Sequence, residues 1–127
     1  MKDFKKYYRV PAEPDILYQA LTNANTIRLW TGEEAIMEEM PGTICSLWDG
    51  SITGINIEFV PPQKIVQHWD FGDQETPSVV TIKLHPDKKG FTSLEITQTN
   101  IPDEDFENIA NGWTDIYISS LIDFYKE

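Results

Sequence analysis

The feature that most constrains this chain is a change of period near its end: a series of short extended runs gives way to one long amphipathic helix. From Glu34 the extended runs are separated by turn residues. Residues 34–40 ("EAIMEEM") stop at Pro41 and Gly42, 43–48 ("TICSLW") at Asp49 and Gly50, and 51–60 ("SITGINIEFV") at Pro61 and Pro62. Residues 64–72 ("KIVQHWDFG") run into the polar "DQETP", 78–85 ("SVVTIKLH") into "PDKKG", and 91–100 ("FTSLEITQTN") into Ile101 and Pro102. Six such runs with tight connections predict an antiparallel meander. The Asp49-Gly50 pair predicts a tight hairpin. Gly54, inside a run, marks a bend or bulge that curls the sheet.

After Pro102 the period becomes helical. Asp103 is placed as an N-cap, with Glu104, Asp105 and Glu107 in the favourable first turn. Phe106, Ile109, Ala110, Trp113, Ile116, Tyr117, Leu121 and Phe124 then fall on one stripe, predicting a helix to about Lys126 that crosses the whole sheet. Ahead of the meander, residues 3–10 alternate like a strand. "AEPDILYQALTN" carries Ile16, Leu17, Ala20 and Leu21 at helical spacing behind Pro14, and a second short helix is predicted over 25–30. The fold class that follows is α+β: a curved antiparallel sheet of six to seven strands wrapped around a long C-terminal helix, with two short helices after the first strand. The 127 residues are expected to form a single domain, 1–127, large enough to fold without staples.

Charge and cysteine usage narrow the function classes. Asp and Glu number 21 against 10 Lys and Arg, a formal net charge of −11. Such a field repels phosphate backbones and anionic membranes, so neither nucleic acid nor a membrane is expected as a partner. The basic start (Lys2, Lys5, Lys6, Arg9) reads as a solvated strand end. Cys45 is the only cysteine and there are two histidines, so the residues imply neither a disulfide nor a metal site, and no cofactor. No apolar leader or spanning run is present, and a cytoplasmic, monomeric protein is the expectation.

Residues 42–71, "GTICSLWDGSITGINIEFVPPQKIVQHWDF", resemble the strand region of the activator of 90-kDa heat-shock protein ATPase homologue family, within the START-like helix-grip superfamily. The likeness rests on Gly42, Asp49-Gly50, Gly54 and Trp69. "NGWTDIYISSLIDFYKE" is similar to that family's closing helix, with Gly112 and Trp113 in the matching places, and "YRVPAEPDILYQALTNANTIRLW" to its opening segment. The resemblance implies a helix-grip (START-like) domain. Cys45 stands where an aromatic is common, implying a reshaped interior. Full activators also carry a separate N-terminal chaperone-binding domain, for which these residues are expected to leave no room.

In a helix-grip scaffold the space between helix and sheet is where ligands lie, and the residues placed there are Trp69, Phe71, Trp113 and Tyr117, with Gln67 and Gln98 as inward polar groups. A filled core is the alternative for the same stripe. Strand parity puts Cys45 and Leu47 on one face, with Ser46 and Trp48 on the other, so Trp48 is expected outside if the first pair faces the helix. His68 and Asp70 share a strand face as an acid–base pair or as solvated charges. Three functions follow. The first is a non-catalytic START-like domain binding a small hydrophobic molecule in the cavity. The second is a co-chaperone-like module binding a 90-kDa chaperone or another protein. The third, a cyclase-like enzyme, needs Tyr117, His68 or Asp70 inside the pocket.

Overall fold

A computed structural model describes residues 1–72 and 74–126; Asp73, within the polar turn "DQETP", lies outside the described residues. The strands are β1 (Lys2–Val10), β2 (Ile44–Leu47), β3 (Ile52–Val60), β4 (Lys64–Trp69), β5 (Ser78–Pro86) and β6 (Thr92–Ile101). They form one antiparallel sheet in the order β1-β6-β5-β4-β3-β2. β2 to β6 are the meander, and β1 closes the sheet beside β6, with Tyr8 opposite Leu94 and Val10 opposite Thr92. Two helices, α1 (Pro14–Thr22) and α2 (Ala24–Thr31), follow β1. The fold is the helix-grip architecture.

Local chemistry explains the short helices. Pro14 opens α1 with Asp15 in its first turn, and Leu17, Tyr18, Ala20 and Leu21 bury its inner face. Asn23 caps α2: its side chain accepts from the Thr26 N–H at 3.0 Å. Gly32 ends that helix with φ at +76°, the left-handed conformation glycine adopts without steric cost.

The predicted run over 34–40 is not a strand. It makes one bridge, Ile36 with Ser46, and Ile36 and Met40 then point to solvent while Ala35 and Met37 are buried. A side chain replaces the missing ladder. Asn56, fully buried on β3, donates from Nδ2 to the Glu38 carbonyl at 3.2 Å and to Thr43 Oγ1 at 3.1 Å. Its backbone is bracketed by Gly42 N–H and Thr43 C=O at 2.7 and 2.8 Å. The segment is therefore tied down by buried polar pairing rather than by strand register.

Curvature has two sources in β3. Gly54 sits opposite Trp69, and a Cβ there would lie 2.1 Å from the His68 carbonyl oxygen, so β3 and β4 approach closer than any side chain allows. A register shift between Asn56 and Glu58 adds a bulge.

The C-terminal rod begins with a tight turn at Asp103–Asp105, continues as α3 (Phe106–Gly112), widens into a π-helical segment over Trp113–Ile118, and ends as α4 (Ser119–Tyr125). Asp103 does not cap it, since no side-chain cap bond forms and Pro102 precedes the first turn. The π segment changes which residues face the sheet. Trp113, Tyr117, Ile118 and Leu121 are buried, whereas Ile116 is 55% and Phe124 42% exposed. A stripe drawn at 3.6 residues per turn includes Ile116 and Phe124; the wider turn shifts the phase and leaves them outside. The core between rod and sheet is completed by Ile65, Val80, Ile82, Leu94 and Ile96.

Candidate functional site

The β2–β3 connection shapes one end of the space between rod and sheet. It is not a two-residue turn: Leu47 pairs with Ile52, leaving Trp48 to Ser51 as a four-residue loop. Trp48 and Asp49 both take φ of +52° and Gly50 takes +90°. Left-handed conformation is uncommon for a bulky residue. At Trp48 it breaks the strand alternation that places this side chain outside. The indole instead turns inward and meets Trp30 edge-on at 5.5 Å and Tyr117 at 5.5 Å.

Five aromatic rings result from this convergence. Trp69 stacks on Trp113 with centroids 5.0 Å apart and 14° between planes. Trp113 lies 4.5 Å from Tyr117, and Trp30 lies 5.3 Å from Tyr117. Each well-placed pair contributes about 0.5–1.5 kcal/mol beyond area burial. Every fully enclosed indole N–H has an acceptor. Trp30 donates to the Ala20 carbonyl at 2.8 Å, Trp69 to Gln67 Oε1 at 3.0 Å, and Trp113 to Gln98 Oε1 at 2.8 Å. Behind these, Gln67 Nε2 donates to Asn56 Oδ1 and Gln98 Nε2 donates to Ser78 Oγ.

In front of the rings is a half-open cavity of about 270 Å³. Its walls are Trp48, Ile52, Trp69, Trp113 and Tyr117, with Ile109 and Ile116 on the helix side and Ser51 and Asn108 as polar margins. Burial pushes the Tyr117 phenol well above its ordinary range, helped by the neighbouring Cys45, so it is neutral at physiological pH. Burial likewise pushes the Cys45 thiol up to about 11, which suits a small apolar core residue rather than a nucleophile.

The structure therefore gathers three of the residues named from sequence, Trp69, Trp113 and Tyr117, on one wall. Gln67 and Gln98 stand behind that wall as hydrogen-bond acceptors for the indoles and do not line it. Phe71 lies beyond the end of β4, packed against the core, with its N–H donated to Gln74 Oε1 at 2.6 Å. His68 faces Ile55 and Val79 on the opposite side of the sheet, and Asp70 there accepts from the Gly72 N–H. Trp48, Ile52, Ile109 and Ile116 escaped the sequence reading as wall residues. A positive φ at a tryptophan leaves no mark in composition or period. Among the described residues, no group of three His, Cys, Asp or Glu is placed to hold a metal, and no helix is long and apolar enough to cross a membrane.

The family "Activator of Hsp90 ATPase homolog 1-like protein" matches residues 11–124, from just ahead of α1 through the whole aromatic wall into α4. The chain belongs to this family. It is 36% identical over 114 residues to the "Activator of 90 kDa heat shock protein ATPase homolog" of Dictyostelium discoideum, an alignment covering 88% of this chain. The chain spans 30% of that relative's length. A crystal structure described as an HSP90 activator from Plasmodium falciparum superposes with a TM-score of 0.85 at 29% identity, covering 94% of this chain and 92% of that one. The solution structure of the Aha1 dimer from Colwellia psychrerythraea, 15% identical with a TM-score of 0.81 over all of both chains, shares the fold. The family assignment thus agrees with the resemblance carried by Gly54, Trp69 and the Gly112-Trp113 pair.

Proposed function

We propose that the chain is a non-catalytic co-chaperone-like module that binds a 90-kDa-class heat shock protein. The observation that supports this reading is the similarity to the Plasmodium falciparum HSP90 activator over 92% of that protein's own chain. That likeness concerns this domain itself, so the reading does not depend on the remainder of the longer Dictyostelium relative. The cavity is consistent with it. At about 270 Å³ and half open, it falls just below the roughly 300–1,000 Å³ of sites that enclose a drug-sized ligand. A single apolar anchor side chain from a partner suits such a space, because aromatic-lined clefts at interface centres concentrate binding energy. The test is steady-state ATPase activity of the 90-kDa chaperone from the same host, with and without this protein, alongside direct binding. Absence of both binding and any change in ATPase rate would refute the proposal.

A second reading is kept because of the apolar wall: a small hydrophobic molecule held against Trp69, Trp113 and Tyr117. Native mass spectrometry of protein purified from its host checks this, since a retained adduct gives the ligand's mass directly and a bare protein removes the reading. The cyclase-like reading is set aside. It needs an acid or base in the cavity, yet His68 and Asp70 lie across the sheet and Tyr117 holds its proton well beyond neutral pH.

A further inference from the structure

This acidic chain carries its cations unevenly. Against a net charge of −11, the sheet face turned away from the rod presents Lys5 and Arg9 on β1, Lys83 on β5 and Lys64 on β4, with Lys88 in the turn after β5. Register makes them neighbours: Tyr7 lies opposite Glu95, Glu95 opposite Lys83, and Lys83 opposite Lys64. Like charges directly across two strands cost stability, here offset by Glu58 beside Lys64 and Glu95 opposite Lys83, and the pairing concentrates positive charge on this face.

The nearby carboxylates are already engaged. Glu95 meets His85 Nε2 at 2.8 Å and Lys5 at 3.8 Å, Asp87 meets Arg9 at 3.2 Å, and Glu58 meets Lys64 at 3.2 Å. The His85 hydrogen bond, then Lys5 and Lys83, hold Glu95 below the usual carboxylate range. Lys83 makes no ion pair among the described residues. Beside it lies a groove of about 430 Å³ whose apolar sides are Val60, Pro62 and Pro86 and whose polar rim is Lys64, Lys83 and His85. Tyr7, 55% exposed, lies 6.4 Å from the His85 ring and extends the patch. Tyrosine, arginine and an apolar floor ringed by charge are the composition of protein interfaces.

We propose that this outer face, centred on the Lys64–Lys83–His85 groove, docks an acidic segment of a partner polypeptide that also carries an apolar side chain. The partner's carboxylates approach Lys83 from the solvent side, adding to the field of Glu95 opposite it, and its apolar group covers Pro62 and Pro86. An extended anionic bilayer faces the whole acidic surface of the chain, whereas a short acidic segment faces only this local cationic patch. The inference stands apart from the aromatic cavity on the other side of the sheet and does not rest on the co-chaperone reading.

Amide NMR of the labelled protein, titrated with a synthetic Glu-rich peptide carrying one central Leu, tests it. Shifts are expected at residues 64, 83–85, 93–95 and 5–9, weakening as salt is added. The counterpart peptide with Gln for Glu should not bind. Lys83→Glu should weaken the acidic peptide at least about tenfold, since like charges then face one another. The fold should survive that change, because Glu at 83 faces Lys64 on one side as it gains Glu95 on the other. Its thermal midpoint is expected within about 3 °C of the parent. Shifts at the aromatic cavity, equal binding of the Gln peptide, unaltered binding by Lys83→Glu, or the same shifts with phosphatidylglycerol vesicles would each overturn the proposal.

Discussion

Replacing Gln98 by Leu probes the buried polar layer that supports the aromatic wall. Gln98 is fully buried on β6, accepts from Trp113 Nε1 at 2.8 Å and donates to Ser78 Oγ at 3.0 Å. Leucine fills much of the same space, but it removes both bonds and leaves the Trp113 indole N–H enclosed without an acceptor. Ser78 is less affected, because its hydroxyl still donates to the Thr99 carbonyl at 2.9 Å. Two neutral hydrogen bonds contribute about 1 kcal/mol each, and an orphaned buried donor costs about 1–3 kcal/mol. Part of this is offset by the apolar burial of leucine, so a net destabilisation of about 2 kcal/mol is expected. In urea, at about 1–3 kcal/mol per molar for a chain of this size, the midpoint moves down by about 1 M. The decisive step is a double-mutant cycle with Trp113→Phe, which removes the donor. In that background Gln98→Leu should cost at least about 1 kcal/mol less, because nothing is left unpaired. Unfolding followed by far-ultraviolet circular dichroism reads all four proteins. If the two changes add within about 0.5 kcal/mol, the Trp113–Gln98 bond does not couple helix to sheet and the reasoning fails.

Three further perturbations bear on the fold and the site. Gly54→Ala puts a Cβ against the His68 backbone oxygen; forced strand separation should cost about 1–3 kcal/mol, seen as a melting point lower by roughly 3–10 °C, and an unchanged melting point contradicts the close approach. The Cys45 thiol ionises near 9.0 in the unfolded chain and near 11 when folded. Its raised folded value means the associated stability is intact below pH 9 and is lost as pH rises towards 11, so melting points over that window should fall more steeply for the parent than for Cys45→Ala; parallel slopes count against it. Ile116→Glu places a charge on the cavity rim at a residue already 55% exposed, so chaperone binding should weaken at least about tenfold while the melting point stays within about 3 °C. Retained binding with a folded variant removes the cavity from the interaction.

Much of the scaffold was legible because its signals are local. Turn residues at Pro61-Pro62 and Ile101-Pro102 bound the strands where they end, and Pro14 marks the start of α1 through its own backbone chemistry; α2, predicted over 25–30, starts at Ala24 behind the side-chain cap of Asn23. The run over 34–40 misled because alternation is a property of side chains, whereas a strand also needs a partner along its length. Here Asn56 on β3 takes the backbone carbonyl that a neighbouring strand would have taken. The inward stripe was legible at Trp113, Tyr117 and Leu121 and misjudged at Ile116 and Phe124, since a π segment changes the period within one helix. Gln67 and Gln98 were recognisable as inward polar groups from parity alone. Their partners were not, because each indole that they accept from arrives at an angle set by packing.

By itself the sequence determined the order of elements, the antiparallel meander, the long closing helix and the acidic surface, all of which follow from period, turn chemistry and charge within a few residues. The tertiary structure alone decided that Trp48 turns inward through a positive φ, that five rings from α2, the β2–β3 loop, β4 and the rod meet around one half-open cavity, and that Lys64 and Lys83 face one another across two strands. These depend on register and on side chains far apart in the chain, and such contacts exist only once the sheet has curled and the helix has packed against it.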